Sequence, residues 1–557
     1  MKRLGNTVRG ATIAALLLAV ACSPSAADTD ASGSIRTDDL RVWVSNLASD
    51  ELEGRATYTA GLGLAAGYIQ EHLKTWGVTP AGDNVGYLQT VRVLGVKVTS
   101  KSSVTVRVGD ETRTFRDGEG VTFARNVGVD RTLSLDRVEF VGYGLDAPVA
   151  EHMDFEGKDV RGAAVVWIGR DGPQAVDGGV SRRLLNGRNR YATEQLGALA
   201  GVGPDPQPPA ASAGDEDDDR APNAPDFTTT QRLDHAIPPN ITASDAFLEF
   251  LFSSAPEPYA ELKRKADARE PLPAFRLDDV QLTFNIDADY QTVRTELTQN
   301  VVGIVRGSDP ALNSTYVAVG AHYDHVGYAS SEVTDGRRPR APGRVTDSAE
   351  EDRIWNGADD NASGTAALMA LARAFAEGPR PKRSLLFVWH AGEERGLWGS
   401  RYFVDYPTVP LDSIVTHLNA DMIGRNRDDK ESESNTVYLV GSDRISTELH
   451  EINREANRSL PEPMTLNYEM NDPADTEQLY FRSDHYSYAS RGIPVIFFTT
   501  GLHPDYHANT DEASRIRFDK LTKITQLIYE TAARVANLDH VPVRDNLGPR
   551  AGKGTQE

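Results

Sequence analysis

Three features of the 557-residue chain predict an α/β protein with a mixed, largely parallel central sheet flanked by helices. From about residue 296 onward, short apolar runs alternate with segments of helical spacing. Clusters of His, Asp and Glu follow directly behind several of those runs. A middle stretch, about 136–290, has a different, β-rich texture and reads as an insertion. Ligands of such sheets sit beyond the carboxyl ends of the strands, so the polar clusters are where the chemistry is expected.

The N-terminus reads as an export signal spanning 1–27. Lys2, Arg3 and Arg9 supply positive charge, and Ala11 to Ala21 is an apolar run too short to span a membrane as a mature helix. The chain's one cysteine, Cys22, directly follows Ala19-Val20-Ala21. That placement resembles a bacterial lipoprotein cleavage site, where the thiol carries lipid. The alternative is ordinary cleavage after Ser25-Ala26-Ala27. The expected location is therefore periplasmic, membrane-anchored as a lipoprotein, or secreted. With one cysteine the chain has no intramolecular disulfide. A formal net charge of -22 argues against nucleic acid and anionic membrane surfaces as partners.

Residues 36–135 read as the N-terminal part of the main domain. Two helical patterns, Leu40-Val42-Val44-Leu47 and Leu62-Ala65-Ala66-Ile69-Leu73, flank a polar loop, Asp50 to Arg55. Val- and Thr-rich strands follow at about 90–135. Within the insertion, 203–226 is a Pro-, Ala- and Asp-rich loop that includes the run Asp215 to Asp219. The main domain resumes at 291–540. Strands are expected at 316–320, 385–389, 414–418, 437–440 and 494–498. Helices are expected at 365–375, the first capped by Asn361 or Ser363, and at 446–457 and 518–538. Residues 328–354 read as a surface loop near the site mouth, and 541–557 as a flexible tail.

Five elements carry chemistry: Gly320-Ala321-His322-Tyr323-Asp324-His325, Gly357 to Gly364, His390 to Gly396, Leu418 to Met422, and Asp505-Tyr506-His507. Taken singly, each has a plain structural reading: a hydrogen-bonded strand end, a helix cap, or a solvated acidic pair. Together they supply imidazoles and carboxylates, the ligands of catalytic zinc. Two neighbouring cations need a shared carboxylate to offset their repulsion. Glu393 and Glu394 are neighbours that reach one site only if the chain turns there, and Gly392 and Gly396 permit a turn.

These motifs in this order resemble the co-catalytic di-zinc aminopeptidases of metallopeptidase family twenty-eight, of the bacterial leucyl aminopeptidase type. Asn300-Val301-Val302-Gly303, Arg482-Ser483-Asp484-His485 and the segment Leu47 to Arg55 extend the resemblance. The segment 136–290 resembles a protease-associated domain inserted into that zinc exopeptidase fold, although its acidic loop departs from the pattern. The resemblance implies two zinc ions. His322 and Asp421 would bind one, Glu394 and His507 the other, and Asp360 would bridge them. It implies that Asp324 orients His322 through a hydrogen bond, and that Glu393 takes the proton of the attacking water and returns it to the leaving amine. Tyr506, or alternatively Tyr480, would support the oxyanion. The Asp360-Asn361 bond would be cis. His325, His485 and His503 are read as structural or supporting rather than as ligands, and His390 as a buried strand-end residue. Trp398, Phe481 and Phe498 are read as core first and pocket second.

The implied activity is hydrolysis of peptide substrates to release N-terminal amino acids. The alternatives are a carboxypeptidase of the same superfamily, a one-zinc glutaminyl cyclase, and a catalytically silent binding protein. The complete ligand set with Glu393 favours two metals and hydrolysis.

Overall fold

The computed structural model describes residues 34–204, 227–329, 342–346, 351–472 and 475–545. The segment expected as an export signal, with Cys22, nearly all of the acidic loop, most of 328–354 and the tail beyond 545 lie outside the described residues.

One ten-stranded sheet organises the main domain. Nine of its strands are β1 (Leu88–Ser100), β2 (Phe227–Thr229), β3 (Ala288–Val305), β4 (Tyr316–His322), β5 (Ser384–His390), β6 (Ile414–Ala420), β7 (Thr436–Val440), β8 (Thr465–Asn467) and β9 (Val495–Thr499). They lie in the order β2-β1-β3-β5-β4-β6-β9-β7-β8. The core pairs β4·β5, β4·β6 and β6·β9 are parallel. The flanking pairs β3·β5, β3·β1 and β7·β9 are antiparallel. The sheet is therefore mixed with a parallel centre, as the strand–helix alternation predicts.

Strands β4, β5, β6 and β9 are buried at every position, which explains why they read as unbroken apolar runs rather than alternating ones. Helices cover both faces. On one face Val317, Val319, Leu385 and Phe387 pack against α1 (Thr37–Leu47), α2 (Ala60–Thr75), α3 (Gly364–Glu377) and α7 (Phe518–Ala536). On the other, Ala318, Leu386 and Val388 meet Phe403 of α4 (Trp398–Asp405) and Tyr488 of α6 (His485–Ala489). The helix α5 (Thr447–Ser459) joins the first group through Leu449 and Ala456. In α7 the residues Leu521, Ile524, Leu527 and Ile528 are fully buried. Each contributes about 1.5–3 kcal/mol of burial energy to docking that helix.

The expected domain boundary at 136 is corrected. Four strands between Ser103 and Leu135 belong to the second ten-stranded sheet, not to the main one. Val104, Val106, Val121 and Phe123 share a core with Phe140 and Phe284. Apart from β2, which pairs with β1 at the sheet edge, the chain leaves the main sheet after β1 and returns where β3 begins at Ala288, so the second unit spans roughly 101–287. Alternation of apolar and polar residues marks a strand but does not say which sheet it joins.

The segment expected as a polar loop, Asp50 to Arg55, is corrected too. It is a 3-10 turn whose Arg55 is only 1% exposed. Its guanidinium donates to the carbonyls of Tyr323 (3.0 Å), Asn356 (2.8 Å), Gly357 (2.9 Å) and Leu47. One buried cation thus ties the N-terminal helices to two of the loops that carry the site.

Candidate metal centre

The parallel strands bring the chemistry to one edge. His322 closes β4, Glu393 and Glu394 follow β5, Asp421 follows β6, and the loop after β9 carries Tyr506 and His507. Asp360 precedes α3. That helix is capped by Asn361, whose Oδ1 accepts from the N–H of Gly364 at 2.9 Å, while Ser363 donates instead to the carbonyl of Asp359. Gly364 is required by contact: a Cβ there would lie 2.2 Å from the carbonyl oxygen of Ala420. The Asp360-Asn361 peptide is cis. Gly392 (φ +76°) and Gly396 (φ +104°) provide the turn that lets both glutamates face inward.

Asp360 stands between two groups of donors. Its Oδ1 lies 3.4 Å from Nε2 of His322, and that same nitrogen lies 3.3 Å from Oδ1 of Asp421. Its Oδ2 lies 3.2 Å from Nε2 of His507, which lies 3.1 Å from Oε2 of Glu394. The donor atoms of His322, Asp360 and Asp421 fall within 4.8 Å of one another, as do those of His325, Asp360 and Glu394.

His325, expected as a structural or supporting residue, lies beside two of the candidate ligands. Its Nδ1 lies 2.9 Å from Glu394 Oε1 and 3.9 Å from Asp360 Oδ2. It sits three residues beyond His322, past the end of β4, where strand parity no longer predicts direction. Asp324 also differs from its implied role. The Nδ1 of His322 meets the main-chain carbonyl of Asp324 at 3.1 Å, whereas the carboxylate is 3.8 Å away. That carboxylate accepts instead from the N–H of Glu393 (3.1 Å) and from Thr57 Oγ1 (3.2 Å).

The donor set fits metal cations. Asp360, Glu394 and Asp421 are at least two-thirds buried, and among the described residues no lysine or arginine lies within 4.0 Å of them. Buried carboxylates gathered without a lysine or arginine partner suit cations, and imidazole with carboxylate suits zinc. Burial raises the Glu393 carboxyl well above its ordinary range; His322 opposes this, while Glu394 and Asp421 add to it. Burial works against protonation of His322, but Asp421 and Glu393 outweigh it and hold the imidazole well above its ordinary value.

A cleft of about 420 Å³, open to solvent, leads to these groups. Tyr506 and Arg482 line it. The ring of Tyr506 stacks on His507 at 4.0 Å, and its hydroxyl accepts from Nη2 of Arg482 at 3.2 Å. Tyr480 lies in the core under the guanidinium of Arg444, 4.5 Å from its ring. The apolar wall is Met422, Leu479, Phe497 and Leu502. Of the aromatics singled out in the sequence, Phe498 is fully buried, Phe481 lies under Arg190, and Trp398 packs beside Tyr58. Among the remaining histidines, His390 is buried with its Nε2 3.1 Å from the Tyr488 hydroxyl, His485 stacks on Phe497, and His503 pairs with Asp359 at 3.2 Å.

Fold and donor set together define a metal-binding α/β domain whose ligands gather at the carboxyl edge of a parallel sheet. Residues 300–532 match the family model of peptidase family M28. It is similar to a leucine aminopeptidase 1 of Arthroderma otae, 26% identical over 39% of this chain and 54% of that one. It is also similar to a leupeptin-inactivating enzyme 1 of Streptomyces exfoliatus, 34% identical over 29% of this chain and 34% of that one. The chain thus matches about half the length of the first relative and a third of the second. Among solved structures it is similar to an aminopeptidase from Aneurinibacillus sp. strain AM-1 (TM-score 0.43, 16% identity, covering 94% of this chain and 97% of that one). No helix among the described residues is long and apolar enough to cross a membrane.

Proposed function

We propose that the protein is a metal-dependent exopeptidase that binds two zinc ions and releases amino acids from the N-terminus of peptides. The observation that carries this reading is the division of Asp360, with one oxygen toward His322 and the other toward His507. A carboxylate so placed suits a bridge between two cations. His322 and Asp421 would hold one ion. Glu394 and His507 would hold the other, with His325 close enough to Glu394 to orient it or to join the ligand set.

When bound, zinc supplies Lewis acidity that polarises the scissile carbonyl and acidifies water. Glu393 accepts the proton of the attacking water and passes it to the leaving amine; its carboxyl, pushed up by burial, is suited to both transfers. Tyr506 offers a hydroxyl to the developing oxyanion. Arg482 orients that hydroxyl from below. The surplus of carboxylates receives a free ammonium group and so favours chain ends. The N-terminal sequence supports export, followed by lipid attachment at Cys22 or cleavage after Ala27.

The test is a panel of matched peptides with free or acetylated N-termini and free or amidated C-termini. They are incubated with protein lacking the first 27 residues, with and without chelator, and products are read by mass spectrometry. Chelator-sensitive loss of residues from free N-termini alone is expected. Loss from the C-terminus would move the substrate reading to a carboxypeptidase. No cleavage by folded, zinc-loaded protein would overturn it.

A further inference from the structure

We propose that the cavity between the second domain and helices α4 and α6 is a binding site, separate from the metal centre, for a small carboxylate with an apolar body. The cavity has a volume of about 300 Å³ and opens to solvent. Its size is at the low end of the range of roughly 300–1,000 Å³ typical of small-molecule sites.

Two arginines there make no ion pair with a carboxylate. Arg401, on α4, lines the cavity. Arg190, at the end of the helix Gly178–Arg190, lies beside it with its guanidinium 4.6 Å over the ring of Phe481. Among the described residues neither guanidinium makes a hydrogen bond or has a carboxylate within 4.0 Å, and the buried Nε of Arg190 is unsatisfied. Every acid nearby is already engaged. Glu194 accepts from the Tyr486 hydroxyl, and Asp405 accepts from Arg491. Arg232 is held by Asp234 through two bonds of 2.8 and 2.6 Å.

Like charges half-enclosed without a matched anion are costly. Burial pushes the Arg401 guanidinium below its ordinary value; Glu194 opposes this and Arg190 adds to it. A ligand carboxylate would remove that cost, because the planar guanidinium fork accommodates two parallel N–H···O bonds. The facing wall of Ile237, Pro238 and Val404 suits an aliphatic or aromatic body.

The probe is N-acetyl-leucine, whose blocked amine keeps it from acting as a free N-terminus. It is titrated calorimetrically into zinc-loaded full-length protein, beside N-acetyl-leucinamide and inorganic phosphate. Saturable binding of the carboxylate is expected, at least tenfold tighter than either comparator. It should weaken at least tenfold in Arg401→Gln and persist in Glu393→Gln. Ser490→Trp, at an exposed position on the rim, blocks entry without replacing either half-buried arginine and should also abolish binding. Absence of saturable binding, equal binding in Arg401→Gln and Ser490→Trp, or phosphate binding as tightly as the probe would overturn the proposal. Loss of binding in Glu393→Gln would place the ligand at the metal centre and overturn it as well.

Discussion

The carboxylate of Asp511 accepts the main-chain N–H of Asp360 at 3.0 Å. It also accepts the N–H of Asp359, at 3.0 and 3.1 Å to its two oxygens. Asp511 lies four residues beyond His507, so the loop that carries one donor holds the backbone of the carboxylate shared by both halves. The two sides of the centre are joined through main-chain bonds rather than by side-chain contact alone.

Asp511→Asn keeps the size of the side chain but replaces one acceptor oxygen with a donor facing an N–H. Zinc affinity, measured by competition with a fluorescent chelator, is expected to fall about 10–100-fold, as for other residues that orient metal ligands. Unchanged affinity would remove Asp511 from the positioning of Asp360.

Glu393→Gln leaves the donors around Asp360 in place and removes the proton acceptor. The kcat for peptide hydrolysis is expected to fall about 10²–10⁴-fold, while zinc content by elemental analysis stays that of the parent. Loss of zinc would instead make Glu393 part of the binding shell.

Tyr506→Phe deletes the hydroxyl that lies over the cleft. A fall in kcat of about 10²–10³-fold with little change in KM is expected. Tyr480→Phe, inside the core and off the cleft, should change kcat by less than about twofold, since uniform scaffolding does not stabilise a transition state. The reverse ranking would reassign the oxyanion donor.

Arg55→Met removes a cation that bonds four main-chain carbonyls. Buried acceptors left unpaired destabilise by about 2–5 kcal/mol, to be read from urea denaturation. A change below about 0.5 kcal/mol, typical of surface positions, would contradict the buried-anchor role.

Lys520 is 4% exposed, and burial lowers its ammonium pKa to about 8. Its Nζ donates to Asn426 Oδ1 and to the carbonyl of Glu433. Below pH 8 the charge is carried in both folded and unfolded chains, and its burial cost is present in full. Between pH 8 and the ordinary lysine value of about 10.4, the unfolded chain binds the proton more readily than the folded one, so stability rises with pH by at most about 3 kcal/mol. The stability difference between parent and Lys520→Met, followed across that window, should show the rise; a flat difference would contradict it.

The parallel core was legible because β4, β5, β6 and β9 are buried on both faces and leave continuous apolar runs. The positions of His322, Asp360, Glu393, Glu394, Asp421 and His507 were legible because each follows such a run or opens a helix. Two kinds of information were not. The allegiance of Ser103–Leu135 depends on which core its alternating face meets, and alternation is the same in either sheet. The direction of His325 and the burial of Arg55 depend on irregular backbone, where neither period two nor period 3.6 applies. Glu53 and Arg55 have positive φ values of 48° and 49°, a conformation that residue type alone did not announce.

The most direct test of the central claim is the anomalous scattering of zinc in crystals of the zinc-loaded protein, collected on both sides of the zinc edge. The account predicts two peaks flanking Asp360, one beside His322 and Asp421 and one beside Glu394 and His507. A single peak, or two peaks that do not share Asp360, in crystals of protein that hydrolyses peptides, would contradict it.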